Sequence, residues 1–168
     1  MATGASPGLR PFLPADAPIL AGLFRASVEE LTAGDYSEDQ RAAWISPADD
    51  IAAFAARLTA GLTLVALADG KIAGFASLKD NLLFDMLYVR PDLARRGVGS
   101  ALADAIEKLA GARGVKRLTV EASDSARDFF AARGYVPQSR NTILLGGEWL
   151  GNTTMTKELA IVPTGGPH

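Results

Sequence analysis

The sequence predicts an α+β fold: a central mixed β-sheet of about seven strands flanked by about four to five helices. Three observations carry this. First, the stretch 82–109, LLFDMLYVRPDLARRGVGSALADAIEKL, changes period midway. Leu82, Leu83, Phe84, Met86, Leu87, Tyr88 and Val89 form an apolar strand-like run broken by one charge, Asp85, whereas Leu102, Ala105, Ile106 and Leu109 recur at helical spacing. Second, Asp69-Gly70 between two apolar runs is a strong hairpin signal. Third, the elements run as one strand, helices, an antiparallel trio of strands, helix, strand, helix and two final strands.

The elements follow in order. Residues 9–13 make a short strand weakened by Pro11 and Pro14. Asp16 is placed to cap a helix whose stripe is Ile19, Leu20, Leu23, Phe24, Ser27, Val28 and Leu31, and Gly34 ends it. Ser37-Glu38-Asp39-Gln40 is a capping box that opens a second helix through Trp44 and Ile45. Ser46-Pro47-Ala48-Asp49 caps a third, with Ile51, Phe54, Ala55 and Leu58 toward the core and Gly61 at its end. Strands at 62–68 and 71–78 flank the hairpin turn, and the central strand spans 82–89 until Pro91-Asp92 stop it. The next helix ends at Gly111 and Gly114. A strand at 115–122 alternates Leu118, Val120 and Ala122 against Thr119 and Glu121. Ser125 is placed to cap the last helix, with Asp128 in its first turn. Strands at 136–145 and 149–159 turn at Gly146-Gly147.

The 168 residues, 48% hydrophobic, suit one domain over 1–168 with a core at 8–159, a mobile tail at 1–7 and a second at 160–168. Net charge is −2, which argues against a nucleic-acid binder; local basic clusters at Arg90, Arg95, Arg96 and at Arg113, Lys116, Arg117 suit a small polyanion better. There is no cysteine, and the one histidine is His168, so thiol chemistry, cysteine metal sites and an internal histidine base are excluded. No Asp/Glu spacing resembles a calcium loop, and no metal is expected. No apolar run is long enough to span a membrane, the N-terminus lacks a signal peptide's pattern, and the expectation is a cytoplasmic protein.

Between the central strand and its helix lies Ala94-Arg95-Arg96-Gly97-Val98-Gly99. A helix N-terminus offers unpaired N–H groups and partial positive charge, and glycines admit a ligand close to the backbone. Two arginines add charge at the same spot. The sum is a phosphate or pyrophosphate site; the plainer alternative is a tight turn with two solvated arginines. Position 102 is Leu, so the third glycine of a dinucleotide fingerprint is absent, and no Gly-Lys-Ser/Thr of a P-loop follows.

Tyr88-Val89-Arg90-Pro91-Asp92 followed by Arg96-Gly97-Val98-Gly99-Ser100-Ala101-Leu102 resembles motif A, Q/R-x-x-G-x-G/A, of the GNAT (Gcn5-related) N-acetyltransferases. Ala126-Arg127-Asp128-Phe129-Phe130-Ala131-Ala132-Arg133-Gly134-Tyr135 resembles the family's motif B. Tyr36-Ser37, Gln40, Ala43-Trp44 and Asn152-Thr153-Thr154-Met155 are similar to a YafP-like bacterial subgroup. The resemblance implies the GNAT fold, with parallel motif A and motif B strands splayed into a V that holds acetyl-CoA. It implies acetyl transfer from that cosubstrate to an amine, an acyltransferase reaction. The implied cofactor-binding residues are Leu87, Tyr88, Val89, Ala94, Arg95, Arg96, Gly97, Val98, Gly99, Ser100, Ser123, Ala126, Phe129 and Phe130. Three positions depart from the family: Ala94 stands for the first Gln/Arg, Phe130 for a tyrosine that often serves as general acid, and Ser123 for an Asn.

For catalysis, Asp85 is the first candidate base, as the single charge in a buried-looking strand; in a regular strand it shares a face with Leu87 and Val89. Its alternative is a cap or an ion pair with an arginine. Glu121 on the neighbouring strand is the second candidate. The tyrosines open as general acid are Tyr36, Tyr88 and Tyr135, and water is the alternative. Tyr36, Trp44, Trp149 and Asn152 are the candidate acceptor contacts. The function expected is an N-acetyltransferase of a small-molecule amine. The alternatives are a non-catalytic acetyl-CoA-binding sensor or partner module, a protein N-acetyltransferase, or a nucleotide-binding domain on the same loop. A homodimer is compatible with the fold class.

Overall fold

The computed structural model describes residues 7–160. Most of both expected tails, with His168, falls on 1–6 and 161–168, outside the described residues.

Proline shortens the first strand: β1 is Gly8–Pro11, not 9–13, because the chain turns through a 3-10 segment at Pro14–Asp16. Helices α1 (Ala17–Leu31), α2 (Glu38–Ile45) and α3 (Ile51–Ala60) follow, then strands β2 (Leu62–Ala68), β3 (Lys71–Lys79) and β4 (Leu83–Val89). Helix α4 (Val98–Ala112), strand β5 (Arg117–Ser123), helix α5 (Arg127–Ala132) and strands β6 (Val136–Leu145) and β7 (Glu148–Glu158) complete the order. The expected α+β mixed sheet is present, in spatial order β1-β2-β3-β4-β5-β7-β6. Every neighbouring pair is antiparallel except β4–β5, which is parallel.

Helices cover both faces. On one, Leu20, Phe24 and Val28 of α1 and Phe54 and Leu58 of α3 pack on Val65, Phe75 and Met86. On the other, Leu102, Ala103 and Ile106 of α4 and Phe130 of α5 pack on Ala76, Phe84, Leu118 and Val120. Gly74 lets α4 lie close: a Cβ there would meet the Tyr88 carbonyl oxygen at 2.9 Å and Leu102 Cδ1 at 3.2 Å. Among the described residues no helix is long and apolar enough to cross a membrane.

Several helix ends differ from expectation. The Ser37 box forms as read: Ser37 Oγ accepts the Gln40 N–H at 3.1 Å, and Gln40 Oε1 accepts the Ser37 N–H at 2.8 Å. Residues 46–49 form a separate 3-10 turn, and α3 is capped by Asp50, which accepts the Ala53 N–H at 3.0 Å. Asp16 spends its carboxylate on Arg10 (2.7 and 2.9 Å) and the Leu13 N–H (2.8 Å), so it caps the 3-10 turn and pins β1. Ser125 donates to Asp35 at 2.7 Å instead of capping α5; Ser123 Oγ accepts the Ala126 N–H at 3.1 Å. Ile19 and Leu31, at the edges of the α1 stripe, are exposed, as is Leu82, which precedes β4.

Candidate functional site: a cleft between two splayed strands

Strands β4 and β5 pair at only two positions, Leu83↔Thr119 and Phe84↔Val120, and then part. Their outer edges are taken by β3 and β7, and β7 holds β5 over its whole length from Arg117 to Ser123. The inner edges therefore face a V-shaped cavity of about 650 Å³. The Arg90 N–H donates to Ala73 O at 2.8 Å, which sets the phase of β4. Tyr88 bonds toward β3, so Leu87 and Val89 turn their peptide groups into the V.

The wide end is floored by the loop before α4. Arg95 (φ 63°) and Gly97 (φ 86°) both take left-handed backbone, the first an unusual conformation for a residue with a side chain. Such alternation aims successive N–H groups into one concavity. The Ala101 N–H bonds to Gly97 O at 3.0 Å, which leaves the Val98, Gly99 and Ser100 donors at the helix start. Arg95, Gly97, Gly99 and Ser100 line the cleft. This donor set fits a pyrophosphate. Across the V, Ser123, Ala126, Phe129 and Phe130 form the other wall. Phe130 stacks edge-on against Phe84 (5.4 Å) and Tyr135 (5.1 Å), so it packs as a core aromatic and has no proton to give. Two expected contacts do not line the cleft with their side chains, and Val98 offers only its N–H. Val98 is buried with its side chain in the core under α4, and Arg96 is exposed outside the lining.

On the side of the sheet that α1 and α3 cover, the same cleft forms a chamber. Here β4 is not regular: Ser77 pairs with Met86 and Leu78 with Phe84, leaving Asp85 as a bulged residue. The bulge moves Asp85 off the Leu87/Val89 face, contrary to expectation, and toward α3. Its carboxylate meets Arg57 through Nε and Nη2, both at 3.3 Å. Glu121 is the next residue of β5 beyond the last strand pair and lies on the face opposite Leu118, Val120 and Ala122. It lines the cleft and has no ion pair or hydrogen bond among the described residues. Both carboxylates thus stand at the apex.

The tyrosines separate by what holds their protons. Tyr36 is buried; its hydroxyl donates to Gly151 O at 2.6 Å and accepts the Asp124 N–H at 2.8 Å. Burial raises its pKa, and its proton is committed to the carbonyl. Tyr36 to Phe should orphan both backbone groups and destabilise the protein by about 1.5 kcal/mol, read by urea unfolding; an unchanged midpoint would refute that role. Tyr135 lies in the core and donates to Glu107 at 2.9 Å, away from the cleft. Tyr88 lines the cleft, accepts the Trp44 indole N–H at 3.3 Å and has no acceptor for its own proton among the described residues. Burial pushes it up to about 12, so it stays protonated at neutral pH.

Trp44, edge-on to Tyr36 at 5.3 Å, and Asn152 line the chamber. Trp149 does not. Its side chain is 60% exposed on the outer surface opposite Leu144, and only its carbonyl takes part, accepting Gln40 Nε2 at 2.8 Å. Arg57, Thr32 and the β6–β7 residues Ile143 and Leu150 line the chamber unforeseen. In the sequence Arg57 is one polar residue beside the Phe54–Leu58 stripe, with nothing to mark its partner.

A family model described as an acetyltransferase (GNAT) domain matches residues 32–159. An uncharacterised N-acetyltransferase, YafP, of Escherichia coli (strain K12) is 30% identical over 147 residues, 88% of this chain and 93% of the relative. Among solved structures, the GCN5-related N-acetyltransferase from Rhodopseudomonas palustris, also described as an aminotransferase, class-II, is 58% identical; its TM-score is 0.92, covering 95% of this chain and 99% of that one. The PaiA N-acetyltransferase from Thermoplasma acidophilum, solved in complex with coenzyme A, has a TM-score of 0.77 at 22% identity, covering 92% and 99%.

Proposed function

The chain belongs to the GNAT family of acetyltransferases, and on that premise we propose that it moves an acetyl group from acetyl-CoA to the amine of a small molecule. The observation that carries the reading is the V opened after two strand pairs, with the donor-rich start of α4 at its wide end and two carboxylates at its apex. Acetyl-CoA supplies an activated thioester. The loop at Ala94, Arg95 and Gly97, with Gly99 and Ser100, holds the pyrophosphate, and the peptide groups of Leu87 and Val89 pair with the pantetheine amides. An inward peptide N–H of β4 polarises the thioester carbonyl. The acceptor amine forms the new N–C bond as the C–S bond breaks. Glu121 takes the proton the amine loses; Asp85, already held by Arg57, is the less available base. Tyr88 is the tyrosine free to donate to the departing sulfur.

A small acceptor is favoured because the segment that carries Tyr36 and Trp44 into the cleft is tied down. Tyr36 to Gly151 and Gln40 to Trp149 fasten the α1–α2 connection and α2 to β7. The working setting proposed is the cytoplasm, with 1–168 as one domain. The test is thiol release from acetyl-CoA with small primary amines against peptides offering a lysine or an N-terminal amine. Small amines should react and peptides should not. Release with peptides alone would make the chain a protein acetyltransferase. Acetyl-CoA binding without any release would make it a binding module.

A further inference from the structure

Resting on the reading of a small amine acceptor, we infer that the acceptor is an aminocarboxylate with an apolar side chain, and that Arg57 grips its carboxylate. Among the described residues only two cationic side chains line the cleft. Arg95 belongs to the loop at the wide end. Arg57 reaches in from α3 at the apex, and no phosphate of the cosubstrate lies there in the proposed orientation. A guanidinium presents five N–H donors along two usable edges. Asp85 occupies the Nε/Nη2 edge. The Nη1 donors have no partner among the described residues, and the side chain is 50% exposed. A second carboxylate can therefore bind without displacing Asp85. Asp85 is then a positioning residue: it fixes the plane of the guanidinium and offsets its charge.

The neighbouring groups complete the match. Glu121 follows the last pair of β5 as Asp85 follows that of β4, so the two stand about one strand spacing apart, roughly 5 Å or a little more at the splay. That backbone spacing is small enough for one small molecule to reach Glu121 with its amine and the Arg57 held by Asp85 with its carboxylate. Beside the polar Thr32, Tyr36 and Asn152, the chamber offers an apolar surface of Val28, Leu31, Trp44, Ile143 and Leu150 to the side chain. A polyamine would set a second cation against Arg57, and a plain alkylamine would leave its free edge unused.

The experiment pairs each amino acid with its decarboxylated twin: phenylalanine with phenethylamine, tryptophan with tryptamine, leucine with 3-methylbutylamine. Thiol release is measured for wild type, Arg57→Gln and Arg57→Lys. The basicity of each amine is the same for all three proteins, so it cancels when the acid-to-twin ratio of kcat/KM is compared between them. The ratio should fall at least about tenfold in Arg57→Gln, mainly through KM, and partly recover in Arg57→Lys. A ratio that does not change between wild type and Arg57→Gln overturns the inference. So does turnover of the twins alone, which leaves the acetyltransferase reading standing. A second measurement uses wild type and needs no turnover: calorimetry of 3-phenylpropionate and 3-phenylpropanol on the CoA-loaded protein. The carboxylate should bind at least about tenfold tighter; equal affinity overturns the inference.

Discussion

Gly97→Glu should lower acetyl-CoA affinity by at least about 100-fold, roughly 2.7 kcal/mol, and leave a folded protein. Two effects act together. Gly97 sits at φ 86°, and a residue with a Cβ is strained there by about 1–2 kcal/mol. No atom lies within 4 Å of the added Cβ, so the core is not disturbed. The new carboxylate then stands at the start of α4, beside the donors left at Val98, Gly99 and Ser100. Its charge satisfies that field and repels the pyrophosphate. Gly97→Ala carries the strain without the charge, so it should weaken binding far less. Calorimetric titration with acetyl-CoA, CoA and ATP on all three proteins decides the matter. ATP binding as tight as CoA would point to a nucleotide site, and acetyl-CoA binding alike to wild type and Gly97→Glu would remove the loop from the site.

Glu107→Gln should lower stability by about 3 kcal/mol at pH 7, a drop of roughly 6–12 °C in Tm. Glu107 is the hub of a cluster behind the cleft. It accepts Arg133 at 3.0 and 3.2 Å, Lys157 at 2.9 Å and Tyr135 at 2.9 Å. Its side chain is 11% exposed and that of Arg133 16%, so a neutral amide leaves the largely buried Arg133 with Asp104 as its one remaining carboxylate among the described residues, and Lys157 with none. The cluster ties α4 to α5 and β7. Burial pushes the Glu107 carboxyl up, and the hydrogen bonds from Arg133, Lys157 and Tyr135 outweigh it, holding the group below its ordinary value. Because the folded value lies below the unfolded one, this contribution is complete above the usual carboxylate value of 4.5 and fades as pH falls below it. The gap between wild type and Glu107→Gln should therefore narrow on acidification below about pH 4.5. A gap constant down to pH 3, measured by urea unfolding, would refute the charge-based account.

The glycine-bearing loop, the hairpin at Asp69-Gly70 and all seven strands were legible because each rests on local pattern: period, turn chemistry and caps. The parallel pairing of β4 with β5 came through the family resemblance. What stayed hidden depends on partners distant in sequence. The Asp85 bulge is a property of the register with β3, and a strand read alone has no register. Arg57 meets Asp85 across 28 residues. Trp149 looked like a binding aromatic, yet β6 and its neighbour strand carry large apolar side chains on an uncovered face, where type does not report direction. Tyr36 was legible as a cleft residue, but the bonds that take up its hydroxyl, to Gly151 and Asp124, reach 115 and 88 residues along the chain.

An exposed strand edge ordinarily invites another chain to pair with it, and proteins blunt such edges with charge, proline or short length. The two edges that face each other across the V are bare along β4 beyond Phe84, and β4 there carries Met86, Leu87, Tyr88 and Val89. They escape that hazard by pointing inward. The notch is closed at its apex by paired backbone and is flanked by helices, so a foreign strand would have to enter lengthwise. A protein built this way can keep sticky, unpaired backbone ready for a ligand's amides without the self-association that the same surface would cause on the outside of a sheet.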